Sequence, residues 1–446
     1  MPAPDLASLR AIRTDLHGCF PRRADALFEL GDALLTADPI TSLPHLSLQA
    51  THRRGWGSLY AALTAGRIDI PALRTLLSQH AAPDGQPVYA IDLSVWPRSD
   101  AEASPDRGFY YHPSRHSAGQ PIVVGWAYQW LAQLSFDRDS WTAPRDVRRV
   151  HPTENANTVA VEQIAGLVSR SPVDGATPLF VFDAGYDSAR LTQGLEQLPV
   201  AVLVRLRADR CFYADPPPAT PSPKGGRPRK HGAKFACKHP ATWPVPTAEH
   251  GTEDAQDGTV RVRAWAELHP KQQAHPGRGT RQTRPIVRGT VVLVEVRRLP
   301  ARPYPPQVLW LWWAGAGAPD LDLLWRAYVR RFDLEHTLRC CTQSLGWTTP
   351  RVRHPEQADR WTWLVVATYA QLRLARPWVA DRRLPWERPQ DLGTLTPCRV
   401  RRALSALLPM VGTPARAPKP CGRSPGRPRG SRSGRAIRYP ALKKAA

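Results

Sequence analysis

Residues 178–206 read PLFVFDAGYDSARLTQGLEQLPVAVLVRL, and the order of elements in this stretch decides the fold class. Leu179 to Phe182 is an unbroken apolar run bounded by Pro178 and Asp183, which predicts a strand buried on both faces. Asp183-Ala184-Gly185-Tyr186 supplies a turn. Ser188 to Leu198 reads as the following helix and Val200 to Leu206 as the next strand. Strand, helix and strand in this order predict an α/β sheet with both faces covered.

Working outward, Pro87 to Ile91 is a short β-prone run that ends at Asp92, and Pro121 to Tyr128 is a second strand. Thr158 to Arg170 has helical periodicity. Further upstream, Ala24 to Thr36, Trp56 to Ala65 and Pro71 to His80 read as helices. The break Gly66-Arg67-Ile68-Asp69 suits either a helix-turn-helix or a plain helix pair packed on the main body. Downstream, Cys211 to Gln307 loses the α/β rhythm: a Pro, Gly and basic loop is followed by β-like runs at Thr259 to Leu268 and Thr290 to Arg298. A last core strand, Val308 to Trp313, precedes a long helix from Pro319 or Asp320 to about Ser344 and another from Pro355 to Arg376. The implied organisation is an N-terminal helical, DNA-binding-type domain (1–82), a core in two parts (83–210 and 308–385), a β-rich insertion (211–307) and a basic flexible tail (386–446).

The chain has 446 residues and a formal net charge of +23, with 8 Lys against 53 Arg. Globular proportions of apolar and charged residues argue against wholesale disorder. No run is long and apolar enough to span a bilayer, and no secretory leader pattern opens the sequence, so a cytoplasmic location at the nucleoid, with no membrane partner, is expected. The Arg bias fits a bacterial genome of high GC content, so placement says more than number. Leu392 to Ala446 holds 13 Lys or Arg and no Asp or Glu, a block whose common partner is nucleic acid. Seven scattered cysteines without a CxxC pair give neither a disulfide framework nor a zinc ribbon; Cys211, His231, Cys237 and His239 match no standard finger spacing.

Phosphodiester chemistry commonly uses two Mg²⁺ ions, and such sites need carboxylates brought together from separate elements. Asp92 and Asp183 each end an apolar strand, so neighbouring strands would bring them together. In LLWRAYVRRFDLEHTLRCCTQSLGW, Tyr328, Arg331 and Glu335 stand at i, i+3 and i+7, one face of a single helix. Glu335 then offers a third carboxylate, and Arg331 a bidentate grip on phosphate. An ordinary amphipathic helix has the same spacing.

The ordered set IDLSVWPR, LFVFDAGYDSARL and YVRRFDLEHTLRCCTQSLGWTTPRVR resembles the DDE transposases of the IS4-type and IS701-type insertion sequences, from about Tyr89 to Trp363. The resemblance implies an RNase H-like core interrupted by a strand-rich insertion. It places Asp92 on the first core strand, Asp183 after the fourth and Glu335 on a later helix. It also implies Mg²⁺ or Mn²⁺, two ions per site held by those three acids, and a homodimer that synapses two DNA ends. The family signature Tyr-x2-Arg-x3-Glu-x6-Lys is matched up to its last position, where Thr342 stands instead of Lys; Arg339 lies nearly one turn earlier.

Two basic segments, Gly226-Arg227-Pro228-Arg229-Lys230 and Gly426-Arg427-Pro428-Arg429-Gly430, are similar to the core of AT-hooks, which lay Arg-Pro segments into a narrow minor groove. Arg227, Arg229, Arg427 and Arg429 are therefore DNA-contact candidates beside Tyr328, Arg331 and Arg339. Trp243 and Trp265 suit packing better than stacking on a flipped base. The resulting expectation is a transposase that cleaves insertion-sequence ends and transfers them to target DNA. A degenerate or domesticated DNA-binding descendant is the alternative, with Thr342 its main support.

Overall fold

The computed structural model describes residues 6–79, 86–112, 120–137, 139–170, 176–216, 218, 230–254, 258–271, 286–297, 307–426 without 421–425, 428–432 and 434–443. Helices α1 (Leu6–Gly18), α2 (Ala24–Thr36), α3 (Leu43–Leu46), α4 (Gly57–Ala65) and α5 (Ile70–Gln79) open the chain. Strands β1 (Val88–Pro97), β2 (Gly108–Tyr111), β3 (Ile122–Gln133) and β4 (Ala143–Val150) follow. Then α6 (Ala156–Arg170), β5 (Leu179–Phe182), α7 (Ser188–Leu195) and β6 (Ala201–Leu206) alternate. Strands β7 (Cys211–Tyr213), β8 (Lys234–Ala236), β9 (Ala248–Asp254), β10 (Gly258–Pro270), β11 (Gly289–Arg297) and β12 (Gln307–Ala314) precede helices α8 (Leu321–Arg330), α9 (Phe332–Gln343), α10 (Pro355–Ala375) and α11 (Pro397–Val411).

The chain forms two compact units, each discontinuous in sequence. The first comprises Met1–Pro83, Asp92–Asn155 and Asp333–Ala446; the second, Asp84–Ile91 and Ala156–Phe332.

In the first unit α10 is the central helix. Trp361, Leu364, Val365, Val366, Tyr369 and Leu372 are all buried, and the helix packs against α2, α4, α11 and β4. Helix α2 is almost as completely enclosed, with every residue from Ala26 to Leu35 buried. Each Leu or Phe so removed from water contributes about 1.5–3 kcal/mol. Helix α2 has no polar face to present to solvent, and the opening helices are part of the first unit's core. Arg13 secures them, donating to Asp32 at 2.9 Å and to Gln371 at 2.8 Å. Gly125 on β3 comes so close to β1 that a Cβ there would meet the Trp96 carbonyl oxygen at 2.2 Å. β3 lies beside β1, and β2 and β4 pair antiparallel with β3. Trp96, Trp126, Tyr128, Trp130 and Trp347 form one aromatic cluster beneath these strands. Gly346, with φ +60°, lets the chain leave α9 and place Trp347, whose indole donates to Thr362 at 2.9 Å.

The segment expected as a tail from 386 onward contains a helix. Residues Pro397–Val411 form α11, whose Val400, Ala403, Leu404, Leu408 and Val411 are buried in contacts with α2, α10 and α1. Arg399 and Arg402 within it are bonded to Asp381 and Glu387. The acid-free count hid an amphipathic helix whose carboxylate partners lie just upstream.

In the second unit, Val88–Ile91 of β1 pairs in parallel with Leu179–Phe182 of β5, and β5 in parallel with β6. Helices α6 and α7 pack on one another, and all four residues of β5 are buried as its apolar run requires. β6 then pairs antiparallel with β12, β12 with β11 and β11 with β10, giving a mixed sheet. The β-rich segment thus extends the same sheet as β5 and β6 instead of forming a body of its own.

Candidate active site

Asp92 was expected at the end of its strand; it lies inside β1, which continues to Pro97. The reason is a change of partner. Beyond Ile91 the parallel neighbour is lost, because β5 stops at Phe182 and Asp183 turns the chain. β3 supports the continuation, and Val124 accepts the Arg98 N–H at 2.7 Å. The last register pair of β1 and β5 is Ile91 with Phe182, so Asp92 and Asp183 are the residues that follow it on the two strands.

Asp183 is half-buried, and its Oδ1 accepts the Gly185 N–H at 2.9 Å, which fixes the carboxylate over its own turn. Asp92 is also half-buried, with Oδ1 accepting the Leu93 N–H at 2.8 Å. Asp187 caps α7 by accepting the N–H groups of Ala189 and Arg190 at 3.0 and 3.1 Å. The second Asp of the DAGYD turn is thereby committed to a helix terminus.

The expected single helix carrying Tyr328, Arg331 and Glu335 is two helices. Arg331 separates α8 from α9, its N–H shared between the carbonyls of Ala327 at 3.0 Å and Tyr328 at 3.3 Å. Such sharing tightens the last turn toward i→i+3 bonding and ends the regular ladder. Tyr328 is fully buried, with its hydroxyl lacking a hydrogen-bond partner among the described residues. Arg331 is 4% exposed, its guanidinium 4.9 Å from the Phe332 ring centre and 5.9 Å from that of Tyr328. The phosphate grip expected of Arg331 is therefore not offered at the surface. Glu335, in the first turn of α9, is exposed, and so is Arg339. The Thr342 hydroxyl donates to the Leu338 carbonyl at 2.8 Å, an ordinary in-helix bond that brings no charge.

In donor chemistry the acids fit a hard divalent cation: carboxylate oxygens, two of them following one register pair. Among the described residues, however, no three His, Cys, Asp or Glu side chains are gathered as a metal-binding group. Of the basic motif candidates, Arg429 is exposed, whereas Arg227, Arg229 and Arg427 lie outside the described residues.

The second unit also holds a basic cleft that motif reading passed over. It has a volume of about 430 Å³ and is lined by Arg190, Arg207, Arg210 and Lys271 together with Asp187 and Asp209. Its lining runs from the start of α7 to Leu206 at the end of β6 and the residues that follow it. Its signal was the string RLRADR at 205–210, three arginines leaving a buried strand.

A family model described as DDE superfamily endonuclease matches residues 15–276, more than half of the chain. The chain belongs to the DDE superfamily endonucleases. The matched span contains Asp92 and Asp183 and ends before α8 and α9, so Glu335 lies outside it. Among solved structures, the piggyBac transposase synaptic complex with hairpin DNA aligns with a TM-score of 0.43 and 12% identity, over 86% of this chain and 70% of that one. No curated protein matches this DDE endonuclease. Among the described residues no helix is long and apolar enough to cross a membrane.

Proposed function

We propose that this DDE endonuclease is the transposase of an insertion sequence of the IS4 or IS701 type, acting as a homodimer on the element's terminal repeats and on target double-stranded DNA. The observation that carries the reading is the parallel register ending at Ile91 and Phe182, with Asp92 and Asp183 next in line, inside the span that matches the family. Parallel β1, β5 and β6, with β3 beside β1 and β4 antiparallel to β3, is the strand pattern an RNase H-like core requires.

Asp92, Asp183 and Glu335 are the residues that would hold divalent ions, Mg²⁺ or Mn²⁺, two per site. When bound, such ions activate the attacking oxygen and stabilise the leaving one. The turn bond from Gly185 holds the Asp183 carboxylate in place before DNA arrives. Arg190, Arg207, Arg210 and Lys271 outnumber the two carboxylates of their cleft, which suits a DNA phosphate backbone. Exposed Arg429 and the rest of the basic C-terminal segment add contacts that read charge more than sequence. Tyr328 and Arg331 are buried, so of the helical candidates exposed Arg339 is the one to meet DNA.

The test is cleavage of duplex DNA carrying the element ends, with Mg²⁺ or Mn²⁺, against Asp183→Asn as control. The expected result is nicking that frees a 3′-hydroxyl and is reduced by several orders of magnitude in the variant, because a lost metal interaction of several kcal/mol costs tenfold for each ~1.4 kcal/mol. Thr342 supports a second reading, a DNA-binding descendant without strand transfer. Tight DNA binding with no nicking under either metal would decide for it.

A further inference from the structure

The basic segment after α11 is tied to the first unit at two places. At its start, Arg53 and Arg54 donate to the carbonyls of Ala415 at 2.8 Å and Arg416 at 2.7 Å, and the Arg416 N–H reaches an Asp25 carboxylate oxygen at 3.1 Å. At its end, the Tyr439 N–H donates to the Glu102 carbonyl at 2.8 Å and the Leu442 N–H to the Arg107 carbonyl at 2.7 Å. The Arg107 guanidinium, on a residue 4% exposed, returns a bond to the Tyr439 carbonyl at 2.7 Å. Leu442 forms a parallel bridge with Gly108, the first residue of β2, on the edge that β3 does not occupy. Arg438 adds an ion pair with Glu102 at 3.1 Å.

Between these ties the chain faces water. Every described residue from Ala417 to Arg438 is exposed, whereas Ala415 is buried and Tyr439, Ala441 and Leu442 are half-buried. Arg429, Arg432, Arg435 and Arg438 recur at every third position, and no Asp or Glu stands between Leu392 and Ala446. Exposed arginines in an acid-free segment suit a phosphate backbone, and a segment already held at its end loses less freedom on binding than a free tail.

We propose that Tyr439–Leu442 is a latch that holds Arg429, Arg432 and Arg435 to the first unit as a surface for the phosphate backbone of duplex DNA, with Arg107 as the residue that positions it. The inference rests on the reading of this chain as a DNA-binding nuclease. The latch itself meets no phosphate. Its main-chain bonds act by ordering the arginines, so loosening it leaves the same charges to meet the same phosphates at a larger entropic cost.

Leu442→Pro removes the N–H that the Arg107 carbonyl accepts and changes no charge. In the full chain, trypsin should then cut after Arg435 and Arg438 faster than in the wild type. Affinity for duplex DNA should fall by about tenfold, while the slope of log affinity against log salt concentration stays at the wild-type value. Tyr439→Pro, which removes the other N–H, should do the same. Arg429→Ala with Arg432→Ala and Arg435→Ala should instead lower the slope by about three. Cleavage by trypsin at the wild-type rate in both proline variants, or faster cleavage with unchanged affinity, overturns the latch even where the triple variant lowers the slope. An unchanged slope in the triple variant overturns the surface. A wild type that binds no duplex at all fails the underlying reading, and the trypsin comparison, which contains no DNA, still reports whether the segment is held.

Discussion

Arginine does different work in the two units. In the first, Arg13, Arg98, Arg107, Arg145, Arg399 and Arg401 are buried. Their guanidinium groups satisfy peptide carbonyls or carboxylates: Arg98 reaches Val352, Arg107 reaches Ser104 and Tyr439, and Arg145 reaches Leu77. In the second unit Arg331 is the buried arginine among the described residues, while Arg190, Arg207 and Arg210 stand exposed around a cleft at the strand ends. A net charge of +23 counts both kinds alike. Only the exposed kind is available to a polyanion; the buried kind substitutes for backbone partners that the irregular connections of the first unit lack.

The largest effect that tests this contrast is at Arg13, whose pair with Asp32 is 2.9 Å long and nearly solvent-free. Arg13→Met strands a buried carboxylate and should cost about 3–5 kcal/mol in urea unfolding. Burial already pushes the Asp32 carboxyl up against the pull of Arg13, so desolvation is not fully repaid. The double variant Arg13→Met, Asp32→Leu should recover most of the loss, and a single variant within ~1 kcal/mol of wild type would remove the buried arginines from the account.

Arg207→Ala with Arg210→Ala should do the reverse. Stability should stay within about 0.5 kcal/mol, while the slope of log affinity for duplex DNA against log salt concentration should fall by about two. An unchanged slope would leave the cleft without a DNA role. The smallest effect is expected at Arg351, whose 2.7 Å pair with Asp100 is exposed on both sides. Arg351→Ala should change the urea midpoint by the equivalent of ~1 kcal/mol or less. A larger loss there would mean that exposed and buried pairs in the first unit cannot be told apart by solvent access.

How much of this was legible beforehand depends on the range of the interaction. The run LFVF and its DAGYD turn were read as strand and turn, and β5 is found at Leu179–Phe182. Helices α2 and α10 were also placed to within a residue, since apolar stretches with Pro or turn residues at their ends carry their own boundaries. Asp92 was misplaced to a strand end because the partner that prolongs β1, β3, begins some 30 residues downstream and leaves no trace near Leu93 to Pro97. The break at Arg331 was missed because it contains neither Gly nor Pro and keeps αR geometry, with φ −53° and ψ −32°. The Arg13, Asp32 and Gln371 cluster was invisible because its members are far apart in sequence and meet only when helices pack.

By itself, then, the sequence determined the elements: which runs are strands, which are helices, where Asp183 turns the chain, and that basic residues crowd the C-terminal segment. Tertiary structure decided which of those elements share a core, which arginines face water, that α11 is folded, and that Ile91 and Phe182 close a register with an aspartate after each. Backbone periodicity and turn chemistry act over a few residues and can be read along the chain, whereas burial and pairing are properties of surfaces that only folding brings together.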